Sequence, residues 1–296
     1  MANRIEVLKT YKLYINGKFP RTESGRYYVA KGAKGDELGN ICLASRKDFR
    51  NAVVAARKAQ SSWAGRSAFN RGQILYRIAE HMESRQAEFA MLLVKEEGLT
   101  ENKAKEKVAL LIDRIIYFAG WTDKFQQLFS SVNPVASSHF NFSILEPVGL
   151  VSVLCDQEAG FEGFVSSILS AISSGNSVVI LASENSPSSA ITFAEVLQHS
   201  DMPSGVVNIL TGKVDELAPH FTKHMDVNAL LYLGKDENLV QQLQLEGVEN
   251  LKRIRYWKAS EFSTKFFASP YRIKEFLEVK TTWHPIEQIG GAAPAY

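Results

Sequence analysis

The sequence predicts an α/β protein: a parallel sheet with right-handed crossovers, set behind an N-terminal helical layer and flanked by two alternating β segments. Three observations lead there. Residues 148–155 and 177–181 are continuous apolar runs, the pattern of strands buried on both faces. Short strands then alternate with helices of ordinary length to about residue 257, which is the order of βαβ units. Residues 140–145 and 276–283 alternate apolar and polar side chains, as strands with one solvated face do.

The elements follow in order. Residues 11–15 alternate and run into the turn pair Asn16-Gly17, so they read as a strand entering a hairpin turn. Residues 29–43 carry Gly32, Gly35 and Gly39 among charged residues and read as loop and turn. A helix opens at Arg46, with Phe49, Val53, Val54, Ala56 and Ala59 at helical spacing, and leads to Trp63. Further helices are predicted over 68–81, over 87–97 with a stop at Gly98, and over 101–129. After the alternating segment 140–145 and the buried strand 148–155, helices are expected over 164–173, 190–198, 216–224 and 238–245. Strands are expected over 177–181, 206–210, 229–232 and 254–257.

Composition excludes several function classes. The chain has 296 residues, of which 45% are apolar and 22% charged, so it can bury a core and is not disordered. Lys plus Arg is 34 and Asp plus Glu is 32, a net charge of +2, so a nucleic-acid partner is not expected. No stretch reaches the roughly 18 apolar residues of a membrane span, and Met1 to Glu6 lack a signal-peptide core. Two cysteines, Cys42 and Cys155, exclude a disulfide scaffold and fit a reducing, cytoplasmic setting.

The order of motifs resembles the aldehyde dehydrogenase superfamily. Tyr14-Ile15-Asn16-Gly17-Lys18-Phe19 is similar to the family's opening strand. The run from Val53 through Trp63, Arg71, Leu75, Ala79 and Leu93 to Glu97 is similar to its first helices. Glu146-Pro147-Val148-Gly149-Leu150-Val151 and Ser174-Gly175-Asn176-Ser177-Val178-Val179 resemble the entry to its nucleotide-binding domain. The most specific stretch is 202–212, Met-Pro-Ser-Gly-Val-Val-Asn-Ile-Leu-Thr-Gly. Residues 276–283, centred on Glu278-Val279-Lys280-Thr281, resemble the C-terminal strand. The resemblance implies a Rossmann-type sheet with a β oligomerisation arm. It divides the chain into residues 1–132 (N-terminal strands and helices), 133–147 (an oligomerisation strand), 148–268 (the Rossmann-like part) and 269–296 (C-terminal strand and tail).

The same resemblance raises the question of catalysis. In the family, a catalytic domain with the nucleophilic cysteine follows the nucleotide-binding domain. Here only about 18 residues separate residues 254–257 from the C-terminal strand, so that domain is expected to be missing. Cys42 and Cys155 lie outside the expected context and read as small buried hydrophobes. The position of the family's oxyanion-stabilising Asn falls on Glu158, an anion where a hydrogen-bond donor is required. The general-base Glu falls on or beside Trp257, which takes no proton. No catalytic residue is therefore assigned. The length matches a dehydrogenase without its catalytic domain, as in the second, truncated unit of family-16 aldehyde dehydrogenases, here with its own Met1.

For the cofactor, the family's Lys-Pro-Ser/Ala-Glu run corresponds to Leu181-Ala182-Ser183-Glu184. Glu184 keeps the ribose acceptor and Leu181 replaces the lysine. Leu233-Gly234-Lys235-Asp236 stands where the family's Gly-Ser meets the pyrophosphate, and Val214 replaces a further glycine. No cofactor is expected; a degenerate NAD(P) site at Glu184, Gly234 and Lys235 is the alternative. His220 and His224 have zinc-compatible spacing but no third ligand, so no metal is assigned. Lys103, Lys105 and Lys107 read as a solvated helix face.

The pieces that persist are those the family uses for assembly. The resemblance implies contact through Phe140, Phe142 and Ile144 on one strand and Leu277, Val279, Thr281 and Trp283 on the other. The expected function is a non-catalytic subunit in a homo-oligomer, or in a hetero-oligomer with a complete dehydrogenase. The alternatives are a retained nucleotide-binding module, or a subunit lending residues such as Glu158 or Trp257 to a partner's active site.

Overall fold

The structure is a computed structural model that describes residues 7–262, 264 and 267–286; the N-terminal Met1–Glu6 and the end of the 269–296 segment lie outside it. Among the described residues there are three sheets. A small one orders β1 (Thr10–Tyr11), β3 (Glu37–Cys42) and β2 (Tyr27–Lys31). Helices α1 (Arg46–Ala64), α2 (Ala68–Ser84), α3 (Gln86–Glu97) and α4 (Glu101–Trp121) follow, with a short α5 (Phe125–Phe129). Then come β4 (Ser131–Asn133), β5 (His139–Pro147) and β6 (Leu150–Cys155). The alternating part consists of α6 (Gly160–Ile172), β7 (Ser177–Ala182), α7 (Pro187–His199), β8 (Val207–Thr211), α8 (Val214–Lys223), β9 (Ala229–Gly234), α9 (Glu237–Gly247) and β10 (Arg253–Lys258). Two short helices, α10 (Ala259–Phe262) and α11 (Pro270–Lys274), lead to β11 (Leu277–Pro285).

The second sheet is parallel throughout, in the order β10-β9-β6-β7-β8. Strands β6, β7, β8 and β9 are buried at every position, which is why they read as unbroken apolar runs. The predicted α/β class and parallel sheet are the observed ones. The helical layer and the sheet share one apolar core that runs from Trp63, Leu75 and Phe89 to Val151, Phe164 and Ile180. Trp63 and Arg71 join the two by capping the end of α6. The indole N–H donates to the Ile172 carbonyl at 2.9 Å, and the Arg71 guanidinium donates to the Ser173 carbonyl at 3.4 Å.

Four elements differ from the sequence reading. Residues 29–43 form a strand pair, not a loop, because the glycines serve separate purposes. Gly35 turns at φ +86°. Gly39 sits inside β3, where a Cβ would lie 2.7 Å from the Lys9 carbonyl oxygen. The strand expected over 11–15 is confined to β1, with Tyr14 making a single bridge to Ile209; Asn16 and Gly17 do form the expected turn at φ 52° and 70°. The helix expected over 101–129 breaks after Trp121. There the Thr122 hydroxyl donates to the Ala119 carbonyl and the Lys124 ammonium to the Gly120 carbonyl. Strand β4 was not apparent, since three residues carry no readable period.

The third sheet orders β11-β5-β4, all antiparallel. Its register runs from Leu277 opposite Pro147 to Pro285 opposite His139. The arm is tied to the parallel sheet by Asn176. Its amide N–H group donates to the carbonyls of Phe276 at 2.9 Å and Ala171 at 3.1 Å, and its oxygen accepts from Gly149 N–H at 2.9 Å. Asn176→Ala leaves the Gly149 N–H without its acceptor and takes one donor each from the Phe276 and Ala171 carbonyls. We expect a loss of roughly 2–4 kcal/mol in urea unfolding.

Helix α7 is capped from outside. Its own Ser186 makes no side-chain cap, and the Glu96 carboxylate of α3 instead accepts from Ser188 N–H at 2.6 Å, Ser189 N–H at 3.1 Å and the Ser189 hydroxyl. Burial pushes Glu96 up from its ordinary 4.5 to about 7, against the lowering effect of the two serines. The folded state therefore binds a proton that the unfolded state releases between those pH values. Stability is expected to be greatest below 4.5 for this group and to fall by roughly 3 kcal/mol as pH rises to 7. Thermal melts across this range should show the slope, and Glu96→Gln should flatten it.

Candidate functional site

The C-terminal ends of β6, β7, β8 and β9 form the crevice where an open parallel sheet of this kind presents its binding loops. A small cavity of about 130 Å³ lies there, lined by Cys155, Asp156, Gln157, Glu184, Val214 and Asp215. Glu184 follows β7 and is half-buried. Burial raises its pKa; Lys213 opposes this, and Asp215, Asp156 and Glu216 add to it. The crevice is thus dominated by carboxylates.

Gly234 ends β9, and the space above it is filled by the chain itself. A Cβ at this position would lie 2.3 Å from the Tyr232 hydroxyl oxygen and 2.8 Å from the Asp156 Cβ. Residues two apart on a strand face the same side, which places Tyr232 over Gly234. The Tyr232 hydroxyl donates to Asp156 Oδ2 at 2.8 Å, and the Tyr256 hydroxyl donates to the Gly234 carbonyl at 3.1 Å. The two tyrosine rings stack with centroids 5.9 Å apart. Burial, followed by the Asp156 contact, raises the Tyr232 phenol, so it stays protonated as a donor.

The neighbouring charges are also engaged. Lys235 is fully exposed and pairs with Glu158, so the two residues singled out for phosphate attraction and for the oxyanion position neutralise each other. Asp236 caps α9 with its own carboxylate, accepting from Asn238 N–H at 2.9 Å and Leu239 N–H at 3.1 Å. Leu181 is fully buried.

The other singled-out positions are structural. Cys155 is fully buried at the end of β6; burial, with Asp156 next, raises its thiol far above the ordinary range. Cys42 is buried at the end of β3, and its carbonyl accepts from the Thr211 hydroxyl at 2.6 Å. Trp257 is 1% exposed, donates from its indole to Glu275 Oε2 at 2.7 Å, and packs edge-on against Phe267 at 5.2 Å. His220 and His224 face a separate cavity with arginines and lysines, and no group of three metal-ligating side chains occurs among the described residues.

The proposed contact residues fall on two faces. The Ser143 hydroxyl meets that of Thr281 at 2.9 Å, so directly paired residues share a face. Phe140, Phe142 and Ile144 therefore lie on one side of the arm, and Val279, Thr281 and Trp283 on the other. The sequence treated them as one patch because strand period alone does not reveal pairing register. Leu277 is a correction: at 4% exposure it belongs to the chain's own core, since it pairs with Pro147 where the arm leaves the sheet.

Comparison with known proteins decides the lineage. Residues 19–255 match the profile of the aldehyde dehydrogenase family. The chain belongs to that family. The mitochondrial benzaldehyde dehydrogenase of Antirrhinum majus is 29% identical over 247 residues, 82% of this chain and 46% of that protein. The cytosolic 10-formyltetrahydrofolate dehydrogenase of Xenopus laevis is 28% identical over 257 residues, 85% of this chain and 28% of that protein. The NAD+ complex of a Bacillus cereus aldehyde dehydrogenase superposes with a TM-score of 0.80 at 24% identity, over 84% of this chain and 51% of that one, and so shares its fold. The chain spans about half of the length of these relatives, or less. Between Lys258 at the end of β10 and Leu277 at the start of β11 there is room for two short helices and no further aldehyde dehydrogenase domain.

Sequence reasoning missed Tyr232 and Asp156 as the occupants of the crevice. The signal was available: a bulky aromatic two residues before Gly234 on a buried strand points into the space that the glycine leaves. The expected outcome for the thiols is direct. Cys42 and Cys155 should resist an aromatic disulfide reagent at pH 8 in the native protein and react fully in guanidinium. Rapid reaction of Cys155 in the folded chain would contradict its assignment as a buried residue.

Proposed function

We propose that this aldehyde dehydrogenase family chain is a non-catalytic subunit that acts in oligomer assembly, with itself or with a complete dehydrogenase. The observation that carries this reading is the arm. Beyond its root, where Leu145 and Leu277 enter the chain's own core, the three-stranded arm exposes apolar side chains on both faces, with Val279 61%, Trp283 57%, Phe140 46% and Ile144 38% exposed. A sheet of this size is marginal in water unless a face is packed, and exposed aromatics of this density mark contact surfaces. The chemistry at the other end supports the same reading. No exposed thiol, base or oxyanion donor occurs at the positions the family would use.

The crevice also speaks against a dinucleotide. A pyrophosphate would meet Asp156, Glu184 and Asp215, and the amides of the α9 N-terminus already serve Asp236. Of the residues considered for donation to a partner's active site, Trp257 is enclosed in this chain's core. Among the described residues no helix is long and apolar enough to cross a membrane. With two buried free thiols, we assign the chain to the cytoplasm.

Sedimentation analysis tests the assembly role. The chain should be dimeric or larger at micromolar concentration, or co-elute with a co-expressed complete dehydrogenase. Val279→Lys with Trp283→Lys, or Phe140→Lys with Ile144→Lys, should return it to a folded monomer. A monomer that ignores the catalytic partner would overturn the reading. So would NAD- or NADP-dependent oxidation of aldehydes that survives Cys42→Ala with Cys155→Ala.

A further inference from the structure

A second cavity lies away from the acidic crevice, between the first turns of α1 and the last turn of α8. It encloses about 360 Å³ and is lined by Arg46, Lys47, Arg50, His220, Lys223 and His224 over a floor of Phe49. That volume is within the range of small-molecule sites. No carboxylate lines it. The cavity and the crevice occupy opposite ends of α8: Asp215 and Lys223 are eight residues apart, on the order of 12 Å along the helix.

The walls are preformed. Ser45 caps α1, accepting from Asp48 N–H, and the Asp48 carboxylate accepts from Ser45 N–H at 2.9 Å and from the Thr22 hydroxyl at 2.6 Å. Asp48 is therefore turned away from the cavity and consumed by the cap. Phe49 stacks on Phe221 of α8 at 4.2 Å, which locks the two helices together, and the His224 ring stands edge-on to Phe49 at 5.7 Å. His224 Nδ1 accepts from Asp226 N–H at 3.2 Å, leaving Nε2 to carry the proton.

The cations are incompletely neutralised. Lys47 pairs with Glu23 at 3.1 Å and Lys223 with Glu246 at 3.7 Å. Arg46 and Arg50 have no carboxylate within 4.0 Å among the described residues. After burial, Arg46 and Lys223 are what lower the His220 pKa, which reports the positive potential inside. In a chain whose net charge is only +2, this concentration is not a by-product of basic composition. Arg46 and Arg50, four residues apart, lie on the same face of α1, and planar guanidinium forks match phosphoryl oxygens in pairs.

We propose that the cavity between α1 and α8 binds a small phosphoryl-bearing anion, a pyrophosphate or phosphate monoester, held by Arg46 and Arg50 on one wall and Lys223 and His220 on the other. The site uses none of the residues of the acidic crevice or the arm, so it stands whether or not the assembly reading does.

The test is thermal unfolding and titration calorimetry of the full chain with sodium pyrophosphate, against citrate and chloride at equal ionic strength. Pyrophosphate at about ten times its Kd should raise Tm by roughly 2 °C or more. Arg50→Glu with Lys223→Glu, both on exposed positions, should remove the shift and weaken binding roughly tenfold or more, each protein's shift being read against its own unliganded melt. Should that pair fail to fold, Arg50→Gln alone should reduce the shift. Lys258→Glu, on an exposed position away from the cavity, should retain it. The proposal is overturned by the absence of a shift, by an equal shift in the charge-reversed protein, or by citrate matching pyrophosphate.

Discussion

The arrangement depends on one buried amide. Asn176 stands where the end of α6, the start of β6, and the approach to β11 converge, and it is the side chain that bonds to all three. Phe276 offers a carbonyl that receives both Asn176 and the Val148 N–H at 3.2 Å. Through that carbonyl a strand more than a hundred residues later in the chain is fixed to the parallel sheet before it enters the arm. Gly175 must precede it: at φ +102° a side chain is strained, and its Cβ would lie 3.0 Å from Ala64 Cα at the end of α1. The Ser-Gly-Asn motif is thus a junction, and its persistence needs no catalytic explanation.

The segment between β10 and β11 solves a second problem, that of closing a sheet without a following domain. Trp257 is the centre. Phe267 and Phe276 pack on it, Glu275 accepts its N–H, and the Arg272 guanidinium lies 4.9 Å above its ring. Arg114 reaches the same cluster from α4, paired with Glu162 at 2.9 Å and donating to the Thr264 carbonyl at 3.0 Å. A buried cation of this kind is tolerable only with its acceptors in place, which fixes how the short return must pass. The indole at the position considered for a catalytic base has a packing purpose instead.

Much of this fold was legible because the dominant signals were periodic. Four strands buried on both faces leave runs such as Val178-Val179-Ile180-Leu181, and amphipathic helices leave a 3.6-residue spacing. What escaped lacks a period. The glycines of 32–39 imitate a loop, although Gly39 is a strand residue required by the close approach of β1. The arm was legible as two alternating strands, but their shared register was not, so residues on opposite faces seemed to form one surface and Leu277 seemed to be exposed. In the crevice, residue types at the family's positions could be read directly. The contacts that occupy it, from Tyr232 and Asp156 and between Lys235 and Glu158, link residues about 77 positions apart and become apparent only in three dimensions.

Those contacts also explain why no single substitution would restore the crevice. Replacing Tyr232 with a small side chain would clear the space over Gly234 but leave the half-buried Asp156 carboxylate, held by Gln157 N–H at 2.7 Å, as an anion facing the cleared space. Replacing Asp156 would in turn strand the Tyr232 hydroxyl. Freeing the α9 amides requires losing Asp236, the helix's own cap, at about 1 kcal/mol. Exchanging Leu181 for a lysine would place an ammonium at a fully buried position. Tyr232 with Asp156, and Lys235 with Glu158, satisfy one another in pairs. A crevice held this way is a consolidated part of the scaffold.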